Sequence, residues 1–94
     1  MQSHELYRKY REKLEELSRA QGSQAQRDAD LLALMRQFET EASKLDLRRA
    51  RQLCEELCEQ LEHEASFSVN PQRRDIMLRA TKTIGLMPFA SSSK

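Results

Sequence analysis

The apolar residues of this chain fall into four runs whose spacing is helical rather than alternating. The cleanest lies between Ser43 and Ala65, where Leu47, Ala50, Cys54, Leu57 and Leu61 follow one another at spacings of three, four, three and four. That is a heptad-type seam along one side of an α-helix. Leu53 and Cys58 widen the seam on its two flanks, and the small Ala50 allows a neighbour to approach closely.

Upstream, Tyr7, Tyr10, Leu14 and Leu17, with Leu6 beside them, predict a first helix from His4 to Gln21, with Gly22 as its stop. Ser23 followed by Gln26 has the form of a capping box, which starts a second helix with Asp28 and Asp30 near its positive end. Leu31, Met35, Phe38 and Ala42 form its buried line. Leu32 and Leu34 broaden that line, so this helix is expected at the centre of a bundle, touching more than one neighbour.

No Gly or Pro lies between Gly22 and Pro71, so the second and third helices could form one rod about 60 Å long at 1.5 Å per residue. The apolar phase argues for a break instead. Extending the first seam past Ala42 and Leu45 leads to Arg49 and Gln52, whereas the next seam starts at Leu47. The slip places a break at 43–46, where Ser43 and Asp46 form a weak capping box.

After Ala65 the stretch SFSVN is poor in helix formers. Asn70 as cap with Pro71 at the first helical position starts a last helix running to about Ile84, with Ile76, Met77, Ala80 and Ile84 on one face. Gly85 is expected to supply a left-handed stop and Pro88 to prevent continuation. Leu86, Met87 and Phe89 are expected to fold back over the bundle, and residues 90–94 to form a flexible tail.

Composition narrows this picture to a single all-α domain over 1–94: a bundle of about four helices with long central ones. With 94 residues the core is small, and without Trp it relies on Leu, Ala, Met and a few rings. Lys and Arg number 16 against 15 Asp and Glu, so the total favours neither a nucleic-acid binder nor a membrane-surface protein. No apolar run approaches the roughly 18 residues of a membrane span, and the N-terminus lacks the apolar core of a secretory signal. Two cysteines do not make a disulfide framework, so the expected location is cytoplasmic.

Charge distribution says more than the sum. Lys44, Arg48, Arg49 and Arg51 stand against Asp46 alone, whereas residues 52–66 carry Glu55, Glu56, Glu59, Glu62 and Glu64 with no Lys or Arg. This order opposes the helix macrodipole, at some tenths of a kcal/mol per exposed charge. An antiparallel second copy would match Arg48, Arg49 and Arg51 with Glu55, Glu59 and Glu62 while the seams from Leu47 to Leu61 meet. The seam therefore has two uses open to it, the core of a monomeric bundle or an antiparallel dimeric coiled coil.

The candidate chemistries are weak beside their structural readings. Cys54 and Cys58 stand one turn apart, but His63 lies half a turn round from Cys54, and zinc needs about four ligands. Packed structural thiols are the expectation, with no metal and no cofactor. The acids from Glu55 to Glu64 read as a solvated face rather than paired catalytic carboxylates, and no phosphate loop, nucleophile elbow or metalloprotease motif is present. An enzyme is not expected.

The stretch VNPQRRDIMLRATKTIGLMP resembles, over Asn70 to Pro88, the end of small terminase subunits of tailed phages, where an Asn-Pro helix start leads to a Gly-Leu-x-Pro turn. The resemblance implies DNA packaging by an oligomeric DNA-binding subunit. Its helix is short for that family, and Ser91 to Lys94 lacks the arginine pattern that should follow. Asn-Pro starts and Gly stops are generic punctuation, so it assigns no family.

The leading expectation is thus a small cytoplasmic helical protein–protein interaction module, such as an adaptor, chaperone-like protein or inhibitor. Its partner would meet Leu47, Ala50, Cys54, Leu57 and Leu61 with the rim charges Arg48, Arg49, Arg51, Glu55, Glu59 and Glu62. The alternative is a nucleic-acid-binding accessory protein using Arg73, Arg74, Arg79 and Lys82, such as a phage DNA-packaging component.

Overall fold

The computed structural model describes residues 3–88 and consists of four helices: α1 (Ser3–Arg19), α2 (Gln24–Ala42), α3 (Leu47–Phe67) and α4 (Pro71–Gly85). No strand occurs among the described residues. The longest dimension is 36 Å, well short of a continuous rod through residues 23–66, and the break falls at 43–46 as the phase slip requires.

Local chemistry accounts for each helix end. The Ser23 side chain accepts from the Gln26 amide, and Asn70 accepts from the amides of Gln72 and Arg73 ahead of Pro71. At the third helix the cap is Asp46, which accepts from the Arg49 amide at 2.8 Å. Ser43 instead closes the end of α2, its amide reaching the Glu39 carbonyl at 2.9 Å. Ser23, Asp46 and Asn70 each satisfy donors that a helix start leaves without partners.

Two glycine expectations change. α1 stops at Arg19, and Gly22 lies beyond it with φ +140°, a conformation side-chain-bearing residues rarely adopt, so it shapes the turn rather than capping the helix. Gly85 stays within α4 and has no positive φ. The helix ends because the Leu86 and Met87 amides tighten onto the carbonyls of Thr83 and Ile84 at 3.1 Å each, leaving those acceptors satisfied before Pro88.

The seams meet in one core. Leu6, Tyr10 and Leu14 of α1, Phe38 and Met35 of α2, Leu53, Leu57 and Leu61 of α3, and Ile76, Met77 and Ile84 of α4 are all buried. Tyr10 meets Phe38 edge-on, ring centroids 5.1 Å apart and planes at 85°. α1 and α4 form the middle of the bundle and touch each other and both remaining helices, whereas α2 and α3 lie on opposite sides and hardly meet. The second helix is therefore not central: none of its first seven residues is fully buried, and Leu32 is 53% exposed.

Three expected core positions are displaced to the surface or beyond the described residues. Leu47, at the first turn of α3, is 59% exposed. Met87 packs against the core as expected, but Leu86 is 79% exposed, because the tightened end of α4 points it away. The fold-back of Phe89 and the 90–94 tail lie outside the described residues.

Ion pairs fasten the helices across this core. The Arg73 guanidinium grips both Glu15 carboxylate oxygens (Nη2–Oε1 2.8 Å, Nε to each 3.1 Å) and reaches Glu64 Oε1 at 2.9 Å. Glu64 also takes Arg11 Nε at 2.6 Å and Gln60 Nε2 at 2.8 Å. One arginine and one glutamate thus join α1, α3 and α4. On the other side Glu41 of α2 accepts from Lys9 Nζ at 2.8 Å and from the Tyr10 hydroxyl.

These partners hold three carboxyls below their ordinary range. Hydrogen bonds from Arg73 lower Glu15, and those from Lys9 and then Tyr10 lower Glu41. Burial alone would raise Glu64, but its bonds from Gln60 and Arg11 and the charges of Arg11 and Arg73 outweigh that and lower it. A carboxyl depressed in the folded state stabilises fully above its unfolded pKa and loses that contribution as pH falls through the folded value. Melting temperature should therefore be flat near neutrality and drop once pH passes below about 4.3. The drop should shrink in Glu15→Gln; an equally steep profile there would locate the acid sensitivity elsewhere.

Candidate functional site

α3 carries the most distinctive surface. Arg48, Arg51, Gln52, Glu55, Glu59 and Glu62 follow at helical spacings along its outward side, and four of them, with Leu47, line a shallow hollow at the basic end. No ion pair inside the bundle engages Arg48, Arg51, Glu55, Glu59 or Glu62 among the described residues. Arg51 is half-buried, and its Nε is hidden from solvent without an acceptor. Arg49 does not share this side. A residue advances about 100° round the helix, and its guanidinium turns back to the cap, 3.7 Å from Asp46.

The apolar seam is placed differently from its charges. Ala50, Cys54, Leu57 and Leu61 are at most 1% exposed and packed inside the chain. Only Leu47, among the five seam residues, stands open to a partner.

Of the four candidate phosphate-binding residues, Arg73 is the clasp described above, and Arg79 pairs with Asp28 at 2.7 Å and Asp75 at 3.0 Å. Arg74 donates to the Ser68 carbonyl at 2.8 Å, and neither it nor the exposed Lys82 has a carboxylate partner among the described residues. The phosphate-binding set is thus split, with two cations neutralised within the fold. Only sites open to solvent and free of counter-charge contribute fully to phosphate binding.

The thiols are packing groups. Burial pushes Cys54 up to about 12, helped by the neighbouring Cys58 and Glu55, and pushes Cys58 up to about 11, helped by Glu62. Cys58 Sγ lies 3.7 Å from the Thr81 carbonyl. Thiolate is the nucleophilic form, so neither is primed for redox or covalent chemistry. The fold does bring His4 and His63 to one surface hollow with Glu56 and Glu59, a tertiary juxtaposition invisible in sequence spacing. Among the described residues, however, no three His, Cys, Asp or Glu are placed to hold a metal ion.

Among the described residues, six large apolar side chains remain exposed. Leu32 and Leu78 lie mid-helix, and Leu32 borders a hollow of about 230 Å³ between α2 and α4 that Met35 and Thr83 also line. Leu47 and Leu86 mark helix ends. Phe67, the last residue of α3, and Val69, 74% and 93% exposed, flank Ser68 at the turn into α4. In the sequence, two large apolar residues flanking a serine are the visible signal of this feature.

No helix among the described residues is long and apolar enough to cross a membrane. Compared with protein-family models, curated proteins and solved structures, the chain matches none.

Proposed function

We propose that this protein is a helical protein–protein interaction module, acting by binding rather than catalysis, and that the outward face of α3 sets the register of its partner. The carrying observation is that, among the described residues, this face keeps its charges unpaired while the fold neutralises Arg73, Glu15, Glu64, Glu41, Asp28 and Arg79 internally. Arg48 and Arg51 at one end and Glu55, Glu59 and Glu62 at the other make a self-complementary strip. In an antiparallel pair, Arg48 meets Glu59 of a second copy, and Arg51 and Gln52 meet its Glu55.

Magnitudes decide what such a face can do. Exposed pairs contribute about 0.2–1 kcal/mol each, so four symmetry-related pairs amount to a few kcal/mol, against about 8 for a micromolar complex. Charges alone therefore choose orientation and give a weak, salt-sensitive homodimer. With most of the seam packed inside the chain, tighter binding needs a partner that also covers exposed apolar groups such as Leu47.

Charge reversal provides the test. Arg48→Glu alone and Glu59→Arg alone should each fall to monomer in low-salt sedimentation, because each opposes like charges across the pair. An equimolar mixture should regain the dimer as a heterodimer, since both contacts become complementary only there. Wild-type protein that stays monomeric at high concentration and low salt, with variants that ignore one another, would refute self-pairing.

A further inference from the structure

The turn between α3 and α4 has inverted polarity. Ser68 is buried, 7% exposed, while Phe67 and Val69 on either side of it point into water. This arrangement is held by a set of hydrogen bonds rather than left loose. The Ser68 amide donates to the Ala65 carbonyl at 3.2 Å, and its hydroxyl donates to the Asn70 carbonyl at 3.3 Å. The Ser68 carbonyl accepts from Arg74 at 2.8 Å, and the Asn70 side chain caps α4. Phe67 is further located by His63, whose ring it meets at 4.8 Å and 66°.

A short turn that buries a serine and displays a phenylalanine and a valine presents preorganised apolar anchors, the arrangement expected of an interface hot spot. Its charge surroundings identify the kind of pocket that fits. Between Glu64 and Asp75 there is no acidic residue, and Glu64 is held by Arg11 and Arg73. Arg74 lies beside the turn and has no carboxylate partner among the described residues. We infer that the Phe67–Val69 turn is a docking knob for a protein partner with an apolar pocket rimmed by carboxylates. This surface is separate from the α3 face, so either can be lost without the other.

A lipid bilayer is the less favourable occupant. Two side chains bury less apolar surface than a single myristoyl chain, which itself binds membranes only marginally, and one free arginine adds little attraction to anionic lipid. A shaped pocket, in contrast, gains from the fixed ring and the rigid frame.

The experiment uses the full chain with p-benzoylphenylalanine in place of the exposed Ser66, beside the two anchors, irradiated in an extract of cells that express it. The cross-linked protein is then purified and titrated against unmodified chain. The expected result is binding that weakens about 10- to 100-fold with Phe67→Ser. A smaller loss is expected with Arg74→Gln, which keeps a donor for Ser68 but removes the charge, and none with Arg48→Glu. Melting temperature should stay near that of the wild type for Phe67→Ser, separating docking from folding. Equal affinity of Phe67→Ser and wild type would overturn the inference, as would the absence of any cross-linked protein. Uptake of the unmodified chain by phosphatidylcholine–phosphatidylserine vesicles, lost with Phe67→Ser, would overturn it in favour of a lipid anchor. Sedimentation of the Arg48 and Glu59 variants reports on the α3 face independently of these outcomes.

Discussion

Phe38→Ala is expected to destabilise the protein by about 3–5 kcal/mol and to release α2 ahead of the other helices. Four residues, Leu31, Met35, Phe38 and Ala42, bury α2, and Phe38 is the largest and fully enclosed. The first seven residues of α2 contribute no buried side chain, and the contact there is polar, through Asp28 and Arg79. Removing the ring also uncovers Tyr10, whose edge-on contact with Phe38 is the main apolar cover on that side. Since a domain of this size has about 5–15 kcal/mol in hand, the loss is a large fraction of the total, and a melting-temperature drop on the order of 20 °C follows. Hydrogen exchange should show α2 amides losing protection first, while α3, whose contacts with α4 are the most extensive in the bundle, stays protected. Equal loss of protection in all four helices would mean that α2 is integral to the cooperative unit rather than docked on it.

That asymmetry between α2 and α3 marks the boundary of what the sequence made legible. Each helix, the break at 43–46 and nearly every buried position follow from local periodicity, because a residue's side of a helix depends only on its neighbours three and four positions away. Which helices become neighbours is a tertiary property. The broad apolar surface of α2 suggested a central helix, yet α1 and α4 take the middle and Leu32 is left in solvent. Leu47 obeys the seam spacing but stands at the end of the helix, where no neighbour covers it. The charge polarity of α3 is readable in full, and the step of about 100° that carries Arg49 off that face follows from helical spacing as well, although the expected rim set includes it. Asp46 as cap turns the guanidinium back on the turn.

The clasp was missed for a related reason, although its signal was present. Arg73, Ile76, Ala80 and Ile84 continue one stripe at spacings of three, four and four, so a charged residue begins the buried face of α4. Glu64, beside Leu61 and Ala65, intrudes likewise on the stripe of α3. A charge on an apolar line calls for an opposite charge on another helix, but sequence alone leaves open which one.

Replacing that charge tests how far the fold depends on it. Arg73→Met, which keeps length and apolar volume, should cost about 2–4 kcal/mol, below the 3–5 of a fully buried pair because the side chain retains 25% exposure. The loss comes mainly from what remains: Glu15 is left with Arg19, a partner 3.3 Å away and 75% exposed, while Glu64 keeps Arg11 and Gln60. Arg73→Lys should recover only part of the stability, since an ammonium cannot hold both Glu15 oxygens and Glu64 in one planar fork. Combining Arg73→Met with Glu15→Met should recover more than the lysine does, because removing both members of a pair avoids leaving a carboxylate without its counter-charge. Urea unfolding of the three variants separates these cases. A cost below about 0.5 kcal/mol for Arg73→Met would reduce the clasp to an ordinary solvated pair. A double variant no better than the single would instead place the value of Arg73 in its 3.3 Å bond to the Glu64 backbone carbonyl at the end of α3. In the predicted case, the acid-induced drop in melting temperature should also be shallower in the double variant than in the wild type, because one of the three depressed carboxyls is gone.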